Sequence, residues 1–366
     1  MTPLETVSRD DLRAAVAAGI LSEAQAASVT VLAQGRAGRR DAMPAEDEPF
    51  EFFKGFSEIF VSLGLVILLS GVAAMLAWFG GTGLLIFVPF GVALVAFWWA
   101  NYFTLKRRMN LPSMVLAIAF GSGLFLSAVT LAAMLELPYR VSVVGSFLVG
   151  AAGMALWYAR FRLPFSVFIL GTFVLGAVYA LTASVDSLGG FVEGSRGSGF
   201  TALFDLRESP YFAFATLVFG IGAFCVGMWF DTRDPHRLGR HAATAFWCHM
   251  LAAPALVNTV ALTLYNTGGQ SGVVLLMVAL VAISALALVI DRRSFLSAAI
   301  VYIAIVIAWI VQGSGDADFG TWTGVLIVLG AVITAIGTWW VPMRAALMRA
   351  LPDFPGKHRL PPYAGA

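Results

Sequence analysis

The chain is dominated by apolar runs of about twenty residues that are separated by short polar links. A helix needs about 20 mainly apolar residues to cross roughly 30 Å of hydrocarbon. Ten runs meet this length and predict ten membrane-spanning helices, near residues 59–79, 83–103, 113–135, 141–158, 165–183, 211–230, 242–265, 271–290, 295–311 and 320–341. The pattern therefore predicts an all-α integral membrane protein whose main environment is the lipid bilayer.

Composition and charge strengthen this prediction and add an orientation. Of all residues, 59% are hydrophobic and only 12% are charged, against about 25% in soluble domains. If the ten spans are correct, 20 of the 23 basic residues fall on one side, and the opposite side holds only Arg140, Arg196 and Arg207. Short cytoplasmic loops are enriched in Lys and Arg. We therefore expect both termini to be cytoplasmic.

The ends of the chain predict smaller units around the membrane domain of residues 57–341. Residues 1–35 are expected to form a small cytoplasmic helical hairpin, in which Gly19 ends the first helix and Ser22 and Gln25 form a capping box that starts the second. Residues 36–56, rich in Gly, Pro and charge, are interpreted as a tether and an interfacial lead-in. Residues 342–366 are interpreted as a cytoplasmic tail.

Two features of the loops leave alternatives open. The long outer loop of residues 184–210 is interpreted either as a lid or as the seam between two halves. Ten helices divided after the fifth would give halves of opposite topology, and similar basic turns hint at an inverted repeat. Basic turns are also what any multipass protein needs, so the pattern does not decide the matter.

The signatures of catalysis are missing from the sequence. There is no GxxxxGK[ST], HExxH or GxSxG motif, and no Asp or Glu falls inside a predicted span. We therefore expect neither an enzyme nor a carrier coupled to ions through buried carboxylates. No cofactor or metal ligand set is indicated, and no basic recognition face suggests nucleic acid as a partner. The acidic residues of the outer loop, among them Asp205, are interpreted as solvated.

The stretch from Asp231 to Asn258 concentrates the unusual chemistry of the chain. Four of its residues are candidates for lining a cavity or a helix contact: His249, Trp247, Pro254 and Asn258. An alanine stripe flanks His249 and would let a neighbouring backbone approach closely. A histidine there either ties two helices together or serves a ligand or a proton.

Other positions in the same stretch limit what it can build. Asn258 points away from His249 on an ideal helix, so the two cannot form one site alone. Pro254 frees a carbonyl one turn beyond His249 and either bends the helix or opens a cavity. The preceding turn alternates charges from Asp231 to Arg237, which predicts a local salt-bridge network.

Three segments carry a resemblance to a known class. These are the turn GILSEAQA, the segment FKGFSEIFVSLGLVILLSG that ends at Gly71, and AFWCHMLAAPALV at 245–257. Together they resemble a class of bacterial multipass membrane proteins of unknown function, with a short N-terminal hairpin, a tether and many spans. The resemblance implies a bacterial cytoplasmic membrane and carries over no activity.

Two functions remain open at this point. The first is a permease for a small or amphipathic solute that does not use carboxylates for ion coupling. The alternative is a non-transporting scaffold or regulator that acts through a protein partner at the hairpin of residues 1–35. A cavity that reaches His249 from one side would favour the permease, and a bundle packed solidly around it would favour the scaffold.

Overall fold

The computed structural model describes two compact units, Met1–Ala45 and Glu46–Ala366. Within them it describes residues 12, 14–16, 18–22, 25–26, 28–29, 55–84, 87–182, 203–235, 237, 239–293, 295 and 319–363. These residues are helical or lie in turns, and no strand occurs among them. The architecture is therefore all-α over the described part of the chain.

The first unit shows the two helix boundaries that the sequence predicts. Gly19 adopts a left-handed φ of 69°. The amide of Gly19 donates to Val16 and the amide of Ile20 donates to Ala15, which together form a Schellman motif. The Ser22 amide donates to Oε1 of Gln25 at 2.9 Å, and the Gln25 amide donates to Oγ of Ser22 at 3.2 Å. This reciprocal pair is a capping box, so one helical segment ends and another begins here.

The second unit contains ten α-helices among its described residues. They are α1 Phe56–Leu84, α2 Val88–Ala100, α3 Asn110–Met134, α4 Tyr139–Phe161, α5 Phe165–Thr182, α6 Pro210–Asp231, α7 Arg240–Asn266, α8 Gly269–Ile290, α9 Phe319–Thr338 and α10 Trp340–Ala350. A π-helical turn, Asn101–Lys106, continues α2. Pro89, which falls inside the predicted second span, occupies the first turn of α2, where its missing amide proton costs no hydrogen bond.

Seven of the described helices, α1 to α7, are long and apolar enough to cross a membrane when the π-turn is counted with α2. The helix α8 adds a shorter apolar segment, Val274–Ile290. The predicted ninth span, 295–311, lies outside the described residues except at Phe295. Most of the tether and residues 184–202 of the outer loop also lie outside them. The chain is thus a multipass all-α membrane protein.

Several contacts bring the predicted basic turns to one end of the bundle. Oε2 of Glu58, in the first turn of α1, accepts hydrogen bonds at 3.0 Å from the amides of Asn110 and Leu111, which begin α3. At the end of α4, Arg160 donates to Oδ1 of Asn101 at the end of α2, at 3.2 Å. The N-terminus of α1 and the turns after α2 and α4 therefore lie close together.

The opposite end is closed by the last part of the outer loop. Leu203 and Phe204 are buried against α6 and α7. Asp205 is also buried, with 1% of its surface exposed, and its Oδ2 accepts a hydrogen bond from Asn266 at 2.8 Å. The expectation of a solvated carboxylate is therefore wrong for Asp205, because the C-terminal end of α7 supplies an amide partner.

Candidate functional site: a buried Asp-His-Arg cluster

Small residues bring α6 and α7 into close contact. Ala245 and Ala252 of α7 are fully buried. On α6, a Cβ added at Gly220 would lie 2.9 Å from the Leu256 side chain, and one added at Gly227 would lie 2.8 Å from the His249 ring. As the sequence indicates, backbones without bulky side chains approach closely in a membrane bundle.

His249 lies in this contact and is fully buried. Its Nε2 lies 2.8 Å from Oδ2 of Asp231, the last residue of α6. The ring also packs edge-on against Phe224 and Phe295, with centroid separations of 5.5 and 6.0 Å. The imidazole thus ties α7 to the end of α6, and aromatic rings and the Gly227 backbone surround it.

Arg292 follows α8 in the chain and completes the cluster from the other side of Asp231. Its Nε donates to Oδ2 of Asp231 at 3.1 Å, and one terminal nitrogen donates to Oδ1. The same terminal nitrogen also donates to the carbonyl of Ala242 at 3.2 Å. A two-point contact between guanidinium and carboxylate is the strongest geometry available to an ion pair, and both side chains are buried.

The charges of this cluster balance without a charged histidine. The Arg292 guanidinium neutralises the Asp231 carboxylate, so a proton added to His249 would leave a net positive charge in an enclosed site. Burial of an unbalanced charge is strongly unfavourable. The contacts therefore assign His249 a neutral ring that donates its Nε2 proton to Asp231, leaving Nδ1 as a buried acceptor.

A second ion-paired group surrounds Asp291, the residue before Arg292. Arg237 approaches Oδ2 of Asp291 at 3.2 Å, and Nε1 of Trp340 donates to Oδ1 at 2.7 Å. Arg344 of α10 lies 3.5 Å from the same Oδ1. Burial lowers the pKa of the Arg344 guanidinium, and the nearby Asp291 carboxylate opposes this effect. The group connects the turn between α6 and α7, the end of α8 and the start of α10.

Arg344 also fixes the segment that follows α10. Its two terminal nitrogens donate to the carbonyls of Pro361 and Pro362, at 2.6 and 3.0 Å. Its Nε donates to the carbonyl of Leu288 at 3.1 Å. The predicted tail therefore contains a helix and returns to the end of α8.

The charged turn makes two ion pairs with the turn after α8. Asp231 pairs with Arg292, and Arg237 pairs with Asp291. A carboxylate oxygen of Asp234 accepts from the amide of Gly239 at 2.7 Å and lies 3.4 Å from that of Ala242, so Asp234 holds the start of α7. The ion pairs therefore extend beyond the turn itself, because the turn after α8 lies close enough to supply opposite charges.

The other three candidate residues of α7 lie away from the cluster. Trp247 packs against Phe165 and Phe168 of α5, with ring centroids 4.8 and 5.3 Å apart. Pro254 is exposed on a helix that continues through it, and Asn258 is half-buried. The structure therefore brings His249 together with Asp231 and Arg292, and not with Trp247, Pro254 or Asn258.

The sequence contains a signal for this site that becomes clear only in the structure. Two apolar runs end in an Asp followed closely by Arg, in the segments FDTR and IDRR. Those aspartates are Asp231 and Asp291. Arg292 of the second segment pairs with Asp231, and Arg237, which follows the first segment, pairs with Asp291. An acidic residue at the end of a span, inside an otherwise basic turn, could have indicated paired turns.

The cluster can hold the ends of α6 and α8 against α7, but few of its groups are available to bind a ligand or a metal ion. Among the described residues, no group of three or more His, Cys, Asp and Glu side chains could hold a metal ion. Both oxygens of Asp231 are already engaged by Arg292 and His249. This arrangement is typical of a structural tie between helix ends.

Comparisons with protein families, with curated proteins and with solved structures find no match to this chain. The all-α multipass membrane class therefore follows from the helices themselves. The resemblance to a class of bacterial membrane proteins stays a prediction from the sequence.

Proposed function

We propose that this protein is a non-transporting membrane scaffold that anchors the hairpin of residues 1–35 for a protein partner. The observation that carries the proposal is the closed packing around His249. A permease would use α7, with its internal proline and its histidine, as part of a solute path. The described bundle instead fills that position with Asp231, Arg292 and two aromatic rings.

The energetics of the cluster also favour a static role. An alternating-access carrier must separate helices around its central site in every cycle. Separating α6 from α7 at this level would break the hydrogen bond between Asp231 and His249, and Arg292 could no longer contact both Asp231 and the Ala242 carbonyl. Each buried polar group left without its partner costs about 1–3 kcal/mol. A groove among the described residues lies elsewhere, between α1 and α2.

The proposal includes an orientation in the bacterial inner membrane. We place ten crossings in the chain and both termini in the cytoplasm. The support is the 20-to-3 distribution of basic residues and the clustering of three basic segments at one end of the bundle. In intact cells, a cysteine placed at position 196 should react with an impermeant maleimide, and one at position 107 should not. The reverse pattern would reject the orientation.

The natural cysteines offer a direct test of the closed cluster. The chain has two, Cys225, which is exposed, and Cys248, which is buried beside His249. In a Cys225→Ser variant, Cys248 is the sole thiol and reports access to the cluster. We expect membranes treated with N-ethylmaleimide or a charged methanethiosulfonate to leave Cys248 unmodified, and full modification after denaturation in SDS.

The control is a cysteine at position 353 in a background without natural cysteines, because the Asp353 side chain is fully exposed. That thiol should react quickly under the same conditions. Modification of Cys248 at a comparable rate in folded protein would mean that a path reaches the cluster, and it would support the permease instead. Protection from both reagents would support the scaffold.

A further inference from the structure

A groove of about 530 Å³ lies between α1 and the end of α2. Its apolar wall includes Leu65 and Leu68 from α1 and Trp98 from α2. Leu68 and Trp98 are 55% and 71% exposed, so the groove opens onto the outer surface of the bundle. In a membrane helix that surface faces lipid, so the volume is accessible from the bilayer and lies within the range of ligand sites.

The π-helical turn Asn101–Lys106 forms the polar end of the groove. Such a turn adds a residue to the helical repeat, which displaces the side chains that follow, and it often marks a functional position. Here it places Asn101, Tyr102 and Lys106 along one groove. The turn ends with the Arg107 amide donating to the Tyr102 carbonyl at 2.9 Å.

Three cations surround this polar end. Lys106 lines the groove and is exposed. Arg107 donates from Nε to the Tyr102 hydroxyl at 2.9 Å, and Arg160 donates to the Asn101 side chain at 3.2 Å. None of the described lining residues is acidic. The groove therefore combines an apolar wall with a positively charged end.

We propose that this groove binds one lipid with an anionic headgroup. An acyl chain would lie against Leu68 and Trp98, and the phosphate would lie beside Lys106, with the other two cations close by. The opening towards lipid selects a membrane amphiphile over a soluble anion, and the charge selects an acidic headgroup over a zwitterionic one. Basic sites between membrane helices at headgroup depth bind such lipids.

The test is native mass spectrometry of the full chain, mixed in detergent with phosphatidylglycerol or phosphatidylcholine. Wild type should retain one phosphatidylglycerol in preference to phosphatidylcholine. Lys106→Gln should weaken phosphatidylglycerol binding about fivefold, the effect of one basic residue near an anionic surface. Leu68→Trp keeps every charge but fills the groove, and it should abolish the selective binding.

Arg162→Gln is the matched control, because Arg162 is exposed two residues after Arg160 and is not among the groove's lining residues. It should bind phosphatidylglycerol as wild type does. Equal retention of the two lipids by wild type would overturn the proposal. So would equal weakening by Arg162→Gln and Lys106→Gln, or unchanged binding by Leu68→Trp. Unfolding temperatures without lipid, compared with wild type, show that each variant is folded.

Discussion

The packing of Gly227 against His249 makes a single methyl group a sensitive probe of the cluster. In Gly227→Ala the new Cβ would lie 2.8, 2.9 and 3.1 Å from three atoms of the His249 ring. The ring has little room to retreat, because Asp231 holds its Nε2 and two aromatic rings pack against it. We therefore expect Gly227→Ala to destabilise the protein.

The expected magnitude follows from three effects. Overpacking a filled interior costs about 1–3 kcal/mol, and a ring displaced from Asp231 would lose a buried hydrogen bond worth a similar amount. Alanine regains up to about 1 kcal/mol through its better helix propensity. A net loss of about 3 kcal/mol is expected from these three effects, measured as a lower midpoint in SDS-induced unfolding from mild detergent micelles.

Gly222→Ala on the same helix is the control, because nothing lies within 4 Å of its added Cβ. The unfolding midpoint of this variant should equal that of wild type or exceed it slightly. In a His249→Ala background, Gly227→Ala should lower the free energy of unfolding much less, because the ring that the new Cβ would contact is absent. An equal cost in both backgrounds, or no cost in the wild type, would show that the contact with His249 does not limit position 227.

Two further predictions follow from the contacts of His249 and Arg292, and a third follows from the division of the chain into two units. His249→Gln should keep most of the free energy of unfolding in detergent, because an amide can still donate to Asp231, whereas His249→Leu should lower that free energy by about 1–3 kcal/mol. Arg292→Leu should cost about 3–5 kcal/mol by leaving Asp231 buried without its cation. The double variant Asp231→Asn with Arg292→Leu should be more stable than Arg292→Leu alone, and a lower midpoint for the double variant would contradict the ion-pair argument. Deletion of residues 1–35 should leave membrane insertion and the unfolding midpoint unchanged, because these residues belong to a separate compact unit, Met1–Ala45; loss of insertion would contradict this.

Local and one-dimensional features could be predicted from the sequence. The length of the apolar runs gives the helices α1 to α7 within a few residues, because hydrocarbon thickness sets that length. The capping box of Ser22 and Gln25 and the turn at Gly19 are equally local, since each depends on residues only a few positions apart. The contact of small residues at α7 also follows from its alanine stripe.

The partners of His249 could not be predicted in the same way. Asp231 and Arg292 are separated from each other by 61 positions, and only the packing of α6, α7 and the turn after α8 brings them together. Helix periodicity describes one helix face and contains no information about which turn lies opposite. The same limit explains Asp205, whose partner Asn266 is also 61 positions away.

The long sequence separation within the cluster has a consequence for biogenesis. When α6 and α7 leave the ribosome, Asp231 and His249 are present but Arg292 is still to be synthesised. Until it arrives, the carboxylate has no cation for its two-point contact and would remain hydrated near the membrane surface. We therefore expect final docking of α6 against α7 to follow synthesis of the end of α8, and a nascent chain stalled before position 292 to expose Cys248 to thiol reagents more than the finished protein does.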